Sequence, residues 1–269
     1  MSEEKQILKV SSNGMEFYCE RRGTKGPKIV FIPAGSNDCE QYDRLAVRLS
    51  DEFQTLTFDM RGGMRSMDPE PRHATPSLLA ADVAGIMQAL DFYPATVFGC
   101  SSGGQAALAL GKQYPQLVNG LIIHEAALQN DTPLPGAGFT WFQNVMSFAP
   151  LVGGGINPIS IVFNGNWEAL QSLGQETNDR LNANNIYWGE WYVGTADSDT
   201  YTKEDFAAMP PVEFSCGTWS PSWLTMANIT VAERAGKQVH WFLCSHAPEL
   251  VIPDEYAAFI AETARRYSA

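Results

Sequence analysis

A serine placed between two glycines is the strongest chemical signal in this chain of 269 residues. Ser101 lies in the pattern Gly99-x-Ser101-x-Gly103, after the short apolar run 95–98 and before an Ala/Leu-rich stretch, 105–110, that indicates a helix. This order predicts a sharp strand-to-helix turn that presents the hydroxyl at the carboxyl edge of a sheet. The alternative is an incidental serine in a glycine-rich turn, and the flanking strand and helix favour a nucleophile.

A serine hydroxyl needs a base to become a nucleophile at neutral pH, and the chain has four histidines. His246 follows the last predicted strand on a loop at the carboxyl edge of the sheet, where a base can reach Ser101. His73 lies in a Pro-rich connection, and His240 lies inside the last strand, which favours a structural role. We therefore assign the base to His246, in the chain order serine, acid, histidine.

The acid that should orient this histidine is found unusually early in the chain. The loop 216–222 after the penultimate strand contains no Asp or Glu, and Glu213 lies too early in that strand to reach its edge. Glu125 ends the preceding strand and keeps the required order, so we expect it to accept the second ring N–H of His246. Two alternatives stay open: Glu125 as a solvated strand-end charge, and His124 as the base.

Backbone N–H groups near the serine should stabilise the oxyanion of an acyl-transfer reaction. One is expected from Ser102, at the start of the helix, and a second from the loop after the strand 28–33. Gly35 is the best candidate in that loop because a residue without a side chain lets the backbone approach a substrate carbonyl. Ala34 or Ser36 could donate instead.

Other reactive or charged side chains close to the turn are given structural interpretations. Cys100 precedes the serine, and we expect it to be a small buried residue whose side chain points beneath the sheet rather than a thiol nucleophile. Asp59, Arg61 and Arg65 are expected to form a structural network rather than an anion site.

Alternating strands and helices predict a doubly wound, mainly parallel α/β sheet in residues 1–126 and 208–269. Ligands of such sheets bind beyond the carboxyl ends of the strands, where Ser101 is predicted to lie. The predicted strands are 6–10 and 15–21 (a hairpin), 28–33, 54–58, 95–98, one within 117–123, 211–216 and 238–244, and the helices are one in 39–50, 75–92, one ending near 114, 221–235 and 255–267.

The alternation stops between residues 127 and 207, which we interpret as a helical lid over the strand ends. Proline and glycine residues divide this segment into short pieces rich in aromatic residues, and four of the seven tryptophans lie there. Such a ceiling would bury an apolar ligand, although most of these aromatic side chains could equally fill a small core of the segment itself. They are Phe139, Trp141, Phe142, Phe148, Phe163, Trp167, Trp188, Trp191 and Tyr192.

Composition restricts the partners of the chain. The formal net charge of −12 disfavours nucleic acid and anionic membrane surfaces, which leaves a neutral or apolar small molecule as the expected partner. The five cysteines are scattered without metal-ligand spacing, and the first residues lack the apolar core of a signal peptide. We therefore expect free thiols, no metal and a cytoplasmic location. A homodimer is left open.

At these residues the chain resembles an α/β-hydrolase, and more closely the fungal zearalenone lactone hydrolases. The similar stretches are 95–103, 57–66, His124–Glu125 and 180–188, and the similarity extends over essentially the whole chain, weakest across 127–165. The resemblance implies an α/β-hydrolase fold, a mainly parallel central sheet flanked by helices with a helical lid insertion. One departure is Ala34, which stands where that family has an Asp, and the front of the lid differs as well.

The same resemblance implies the site. It assigns Ser101 as nucleophile, Glu125 as acid and His246 as base, with Gly35 and Ser102 as the oxyanion hole. It also implies that Trp188 contacts the resorcylic lactone, and we add Tyr187 and Ser36 as expected substrate contacts.

These observations lead to the hypothesis of a cofactor-free serine hydrolase that opens a macrocyclic lactone such as the mycotoxin zearalenone. Two alternatives remain: an esterase or carbon–carbon bond hydrolase for another apolar polyketide, and a ligand receptor that retains the pocket with little turnover. Haloalkane dehalogenases and epoxide hydrolases are disfavoured, because both need an Asp where Ser101 stands.

Overall fold

Eight strands of the chain pair into one sheet in the computed structural model, which describes residues 5–131, 167–192 and 199–269. The strand order is β1-β2-β4-β3-β5-β6-β7-β8; β1 is antiparallel to β2 and β2 to β4, and every other pair is parallel. The strands are β1 (Gln6–Ser12), β2 (Met15–Arg22), β3 (Lys28–Ile32), β4 (Gln54–Phe58), β5 (Ala95–Cys100), β6 (Val118–His124), β7 (Val212–Gly217) and β8 (Val239–Phe242).

Helices connect these strands and cover both faces of the sheet. A capping threonine, Thr75, accepts a hydrogen bond from the backbone N–H of Leu78 and starts α2, with Pro76 in the first turn. The helices are α1 (Asp43–Leu49), α2 (Pro76–Ala89), α3 (Ser102–Gln113), α4 (Trp167–Gln171), α5 (Gln175–Trp191), α6 (Lys203–Ala208), α7 (Ser222–Arg234), α8 (Pro248–Val251) and α9 (Pro253–Ser268).

The central strands are apolar on both sides because each side packs against helices. In β3, Val30 and Ile32 belong to the core under α2, α3 and α7, whereas Ile29 and Phe31 belong to the core under α1 and α9. Successive side chains of a strand point to opposite faces, so a continuous apolar run fills two cores. This arrangement fixes the carboxyl ends of β3, β5, β6 and β7 side by side.

The predicted α/β fold with its mainly parallel sheet is confirmed, and the differences lie at the ends of elements. The last strand has four residues, 239–242, instead of the expected 238–244, because the chain turns away toward the site after Phe242. The division into a core of 1–126 with 208–269 and a lid of 127–207 stays a prediction. Of that segment the structure describes 127–131, 167–192 and 199–207. Within the described ranges, none of the helices combines the length and apolarity needed to cross a bilayer.

Candidate active site

Ser101 occupies a strained turn between β5 and α3. Its backbone has φ 55° and ψ −121°, a conformation that costs a residue with a side chain of order 1–3 kcal/mol. Surrounding hydrogen bonds hold it there: the Ser101 N–H donates to the His124 carbonyl at 3.1 Å, and the Ser101 carbonyl accepts from Gly104 and Ala127 at 3.0 and 3.2 Å. The turn is therefore fixed by the neighbouring strand and not by local preference alone.

The two glycines of the pattern are required by close backbone contacts. A Cβ on Gly99 would lie 2.3 Å from the Gly103 carbonyl oxygen, and a Cβ on Gly103 would lie 2.4 Å from the carbonyl oxygens of Ile32 and Pro33. Real Cβ atoms do not come so close to backbone oxygens. The spacing Gly99-x-Ser101-x-Gly103 thus reflects how tightly α3 packs on β3 and β5.

His246 and Glu125 form a short hydrogen bond at the carboxyl edge of the sheet. His246 Nδ1 lies 2.6 Å from Glu125 Oε2, and both side chains are buried. Such a contact fixes the ring orientation and leaves Nε2 for the reacting side. His246 and Ser101 line the same pocket. The structure thus brings the three residues of the predicted triad to one place.

Glu125 reaches its position from β6 because of an unusual backbone turn. Its φ is 45°, and its second carboxylate oxygen, Oε1, accepts the N–H of Gly217 at 2.7 Å. Gly217 is the last residue of β7, so a carboxylate supplied by β6 lies at the carboxyl end of the next strand. This explains how the loop after β7 can lack an acid without leaving the histidine unsupported.

Glu125 is ionised in spite of its burial. Burial by itself raises the pKa of this carboxyl, but His124 and His246 outweigh it, and the net direction is a lowered pKa. Burial also lowers the pKa of His124 to about 4, so that ring is neutral at pH 7. With His124 neutral, the hydrogen bonds from His246 and from the Gly217 N–H are the contacts that favour the charged form of Glu125.

His124 lies behind the site and not on the pocket. Its ring is fully buried, Nδ1 lies 2.9 Å from Ser215 Oγ, and that hydroxyl lies 2.9 Å from the Tyr256 hydroxyl. Its Nε2 is 3.9 Å from Glu125 Oε2. The alternative that His124 is the base receives no support from this placement, since the ring does not line the pocket.

Cys100 lies next to the imidazole of His246. Its Sγ is 4.0 Å from His246 Nε2 and 3.6 Å from the His246 carbonyl oxygen. The residue is buried, as the sequence predicted, but it lines the pocket instead of pointing beneath the sheet. Burial raises the pKa of this thiol well above its usual value. Cys100 is a neutral thiol in contact with His246.

The pocket above Ser101 gathers several of the other expected site residues. Gly35, Ser36 and Trp188 line it, and Ser102 is the buried first residue of α3, whose N–H has no acceptor within its helix. A Cβ on Gly35 would lie 2.3 Å from Trp188 Nε1, so the indole rests directly on this backbone. The lining residues are Ala34, Gly35, Ser36, Gln41, Cys100, Ser101, Leu170, Leu173, Leu181, Asn185, Trp188, His246, Ala247, Glu249 and Leu250.

Tyr187 is not brought to this pocket. Its ring packs on Gly62, where a Cβ would lie 1.9 Å from the ring, and it neighbours Trp191 and Tyr192. The expected aromatic ceiling is described only in part: Trp188 lines the pocket, and the positions from 139 to 163 lie outside the described residues.

Helix α5 is attached to the loop after β3 by polar contacts. Arg180 donates to Asp38 at 2.8 Å and to Glu40 at 2.6 Å, and the Asn184 amide donates to the Ser36 carbonyl at 2.8 Å. These contacts hold Trp188 of the same helix above Gly35.

The other charged candidates have structural partners. Arg65 pairs with Asp59 and Asp38, and Arg61 pairs with Asp82 and Asp68, which is the network that the sequence suggested. His73 lies against Trp191, and the half-exposed His240 pairs with Glu213 at 3.1 Å.

The cluster of His124, Glu125 and His246 is also the place where a metal ion could be considered, since their ligand atoms lie within 4.8 Å of one another. Ligands of a tetrahedral zinc at about 2.0–2.1 Å would stand roughly 3.3 Å apart. Glu125 Oε2 and His246 Nδ1 are 2.6 Å apart, the distance of a hydrogen bond. The described geometry fits a hydrogen-bonded pair better than a metal centre.

Sequence reasoning missed one buried acid in the pocket wall. Glu249 lies three residues after His246 and is 1% exposed, and Gln41 Nε2 donates to its Oε1 at 3.3 Å. The available signal was a carboxyl group inside an otherwise apolar stretch, 247–252, directly after the histidine.

Comparisons with known proteins agree with the fold. Residues 27–152 match the family model described as alpha/beta hydrolase fold. A zearalenone hydrolase of Cladophialophora bantiana is 29% identical, covering 96% of both chains, and one of Bionectria ochroleuca is 30% identical, covering 95% of this chain and 96% of the relative. A solved thermophilic esterase from Thermogutta terrifontis superposes with a TM-score of 0.75 at 19% identity, covering 98% of this chain and all of the other.

The fold, the matched family model and the near-complete coverage of these relatives lead to one conclusion. The chain belongs to the zearalenone hydrolase family within the α/β-hydrolase fold, and it is an enzyme that hydrolyses an ester or lactone bond.

Proposed function

We propose that this enzyme opens a macrocyclic resorcylic acid lactone such as zearalenone through a Ser101–His246–Glu125 triad and an acyl-enzyme. The observation that carries the proposal is the 2.6 Å contact between His246 Nδ1 and Glu125 Oε2 at the edge of the pocket that contains Ser101. The substrate is that of the two relatives named zearalenone hydrolase.

In the first half of the reaction, Ser101 Oγ attacks the ester carbonyl while His246 Nε2 accepts its proton. Glu125 remains a carboxylate and stabilises the imidazolium that forms, which its lowered pKa permits. The imidazolium then gives its proton to the leaving alcohol. In a macrocycle that alcohol stays attached to the acyl group through the carbon chain, so ring opening releases nothing from the pocket.

In the second half, water attacks the acyl-enzyme with His246 as base, and Ser101 is regenerated with the open hydroxy acid as product. The tetrahedral intermediates of both halves carry an oxyanion. We assign its stabilisation to the N–H of Ser102 at the start of α3 and to the N–H of Gly35. Loss of one such donor typically costs about 2.7–4 kcal/mol of activation free energy.

The pocket walls favour an apolar ligand. Leu170, Leu173 and Leu181 come from α4, α5 and the turn between them, and Trp188 adds an aromatic surface. We propose that residues 127–207 form the lid that supplies these side chains. The proposed substrate contacts are Trp188 and Ser36. The Ser36 hydroxyl donates a hydrogen bond to Gln41. Tyr187, on the same helix α5, would act indirectly through the packing of its ring on Gly62.

The decisive test replaces Ser101 with Ala. We expect kcat/KM for zearalenone to fall about 10⁴-fold or more, with ligand binding retained, because only the attacking oxygen is removed. Cys100→Ala serves as the matched control for the neighbouring thiol and should lose no more than about tenfold. Retained turnover in Ser101→Ala, followed as product by liquid chromatography, would overturn the assignment.

Parallel kinetics with zearalenone and with simple aryl esters separate this proposal from its alternatives. A higher kcat/KM for the lactone supports lactone opening, whereas a preference for aryl esters indicates an esterase for another apolar substrate. A single slow turnover with retained product would indicate a hydrolase-like receptor.

A cytoplasmic location is part of the proposal, because all five cysteines are buried free thiols, as in proteins of reducing compartments. Thiol titration in denaturant should give five thiols per chain, and a lower count would contradict this location.

A further inference from the structure

Glu249 is a buried acid on the wall of the pocket that the triad does not use. It is the second residue of α8, a helix that begins at Pro248 directly after the loop of His246. The residue is 1% exposed and lines the pocket together with Ser101, Gln41 and His246. Burying a carboxyl group without adequate hydrogen bonds costs free energy, so its presence in this wall calls for a role.

The hydrogen bonds of Glu249 are incomplete. Gln41 Nε2 donates to its Oε1 at 3.3 Å, and the Ser36 hydroxyl in turn donates to Gln41 Oε1. Its other oxygen, Oε2, has no hydrogen-bond partner among the described residues. Glu249 lines the pocket, and a buried carboxyl oxygen without a partner in a lining residue is a natural contact for a ligand that displaces its neighbours slightly.

We propose that Glu249 is a substrate-binding acid whose Oε2 carries a proton and donates a hydrogen bond to a neutral acceptor oxygen of the lactone, such as a ketone, hydroxyl or ether oxygen outside the scissile ester. This inference rests on the proposed function, since it concerns the same pocket. It deepens that function by specifying a polar contact inside an otherwise apolar wall and by disfavouring ligands that bring an anionic group to this point.

The electrostatic surroundings agree with a protonated acid. Burial raises the pKa of Glu249 to about 8, and the nearby negative charge of Glu125 acts in the same direction, while the backbone N–H of Glu249 itself opposes them. The neighbouring thiols and phenols are uncharged at neutral pH because burial raises their pKa values as well. The imidazole of His246 is also close, since it lies in the loop directly before α8. These thiols and phenols are Cys100, Cys244, Tyr42 and Tyr256.

The test measures zearalenone binding by isothermal titration from pH 7 to 9.5. The parent protein is Ser101→Ala, which binds without turnover, and each of three further substitutions is added to it in turn. Glu249→Leu removes the donor and should weaken binding roughly 5- to 30-fold at pH 7. Glu249→Gln keeps an N–H donor of the same size and should bind within about threefold of its parent at pH 7. Gln41→Leu removes the neighbouring amide and leaves Oε2 in place, so it should cost less than Glu249→Leu.

The pH dependence distinguishes a ligand contact from a structural role. The Kd of the parent should rise as the pH passes about 8, the pKa of Glu249, because the ionised acid no longer donates. Glu249→Gln should lack this rise, and the ratio of the two Kd values cancels any ionisation of zearalenone itself. Thermal unfolding of each variant verifies folding, and Glu249→Gln still tests the idea if Glu249→Leu does not fold.

Equal Kd values for the parent, Glu249→Leu and Glu249→Gln across this pH range would overturn the inference. A Gln41→Leu variant that weakens binding as much as Glu249→Leu would also overturn it, as would a parent that does not bind zearalenone. Hydrolysis by the unmodified enzyme is scored separately. If Ser101→Ala binds with the expected pH dependence but the unmodified enzyme opens no lactone, the proposed function fails and the assignment of Glu249 stands.

Discussion

Two carboxyl groups, Glu125 and Glu249, lie in the walls around His246, and they differ in their donors and not in their burial. Both are at most 1% exposed. Glu125 accepts hydrogen bonds from His246 Nδ1 at 2.6 Å and from the Gly217 N–H at 2.7 Å. Glu249 accepts one side-chain hydrogen bond, from the Gln41 amide at 3.3 Å, among the described residues.

The difference in donors gives the two acids opposite charge states. Burial raises the pKa of both groups, but the net direction at Glu125, which is hydrogen-bonded to His246, is a lowered pKa, while the pKa of Glu249 rises to about 8. One site therefore combines a carboxylate that can stabilise an imidazolium with a neutral acid that can donate to a ligand. In this site the number and geometry of the donors set the chemistry of a carboxyl group, and burial alone does not.

The largest expected effect comes from making the same substitution at both acids. Glu125→Gln should lower kcat/KM by about 10³- to 10⁴-fold, because the amide neither stabilises the imidazolium nor fixes the required tautomer. Glu249→Gln keeps a donor and should change kcat/KM by less than about tenfold at pH 7. Steady-state kinetics on the preferred ester would check both, and equal losses in the two variants would contradict the contrast.

The second effect is on stability as a function of pH. A carboxyl group whose pKa is raised on folding favours the folded state below its ordinary value of 4.5, and this contribution is lost as the pH rises toward about 8. The unmodified enzyme should therefore lose stability relative to Glu249→Gln between these values, by up to roughly 5 kcal/mol. Glu125, with its lowered pKa, contributes stability above 4.5 that is lost as the pH falls through its folded pKa.

Urea unfolding of the unmodified enzyme and Glu249→Gln at pH 5, 6, 7 and 8 measures this difference. Free energies of unfolding that run parallel over the whole range would show that Glu249 has an ordinary pKa in the folded enzyme.

The smallest expected effect on catalysis is that of replacing His124, which extends the contrast to the two histidines beside Glu125. His124→Gln should reduce kcat/KM no more than about tenfold and cost about 1–3 kcal/mol of stability, because His124 bonds to Ser215 behind the pocket. His246→Gln is the reference for loss of the base and should lose about 10⁴-fold in kcat/KM, as much as Glu125→Gln. Kinetics and urea unfolding of both variants provide the check. A folded His124→Gln enzyme with a thousandfold loss would reassign the base.

The sequence predicted those parts of the site that depend on residues close together or in a fixed order along the chain. The strand, the tight turn and the helix around Ser101 are adjacent in the chain, and Glu125 follows from the order serine, acid, histidine together with the absence of an acid in 216–222. The support that Gly217 gives to Glu125 could not be read from the sequence, because it depends on the pairing of β6 with β7 and on a positive φ at Glu125.

Glu249, Cys100 and Tyr187 show the limit of such reasoning. The charge state of Glu249 depends on burial and on Gln41, which lies 208 residues away in the chain. The direction of the Cys100 side chain and the side of α5 that faces the pocket are set by packing. For this reason Trp188 reaches the pocket while the adjacent Tyr187 packs on Gly62.

The central claim, that Ser101 is the group activated by His246 and Glu125, is tested most directly by trapping it. Intact-mass spectrometry after incubation with a fluorophosphonate, followed by peptide mapping, should show one adduct per chain, on Ser101, formed at least about 100-fold more slowly in Glu125→Gln. An adduct on Cys100 or another residue, or an active enzyme that acquires no adduct, would contradict the account.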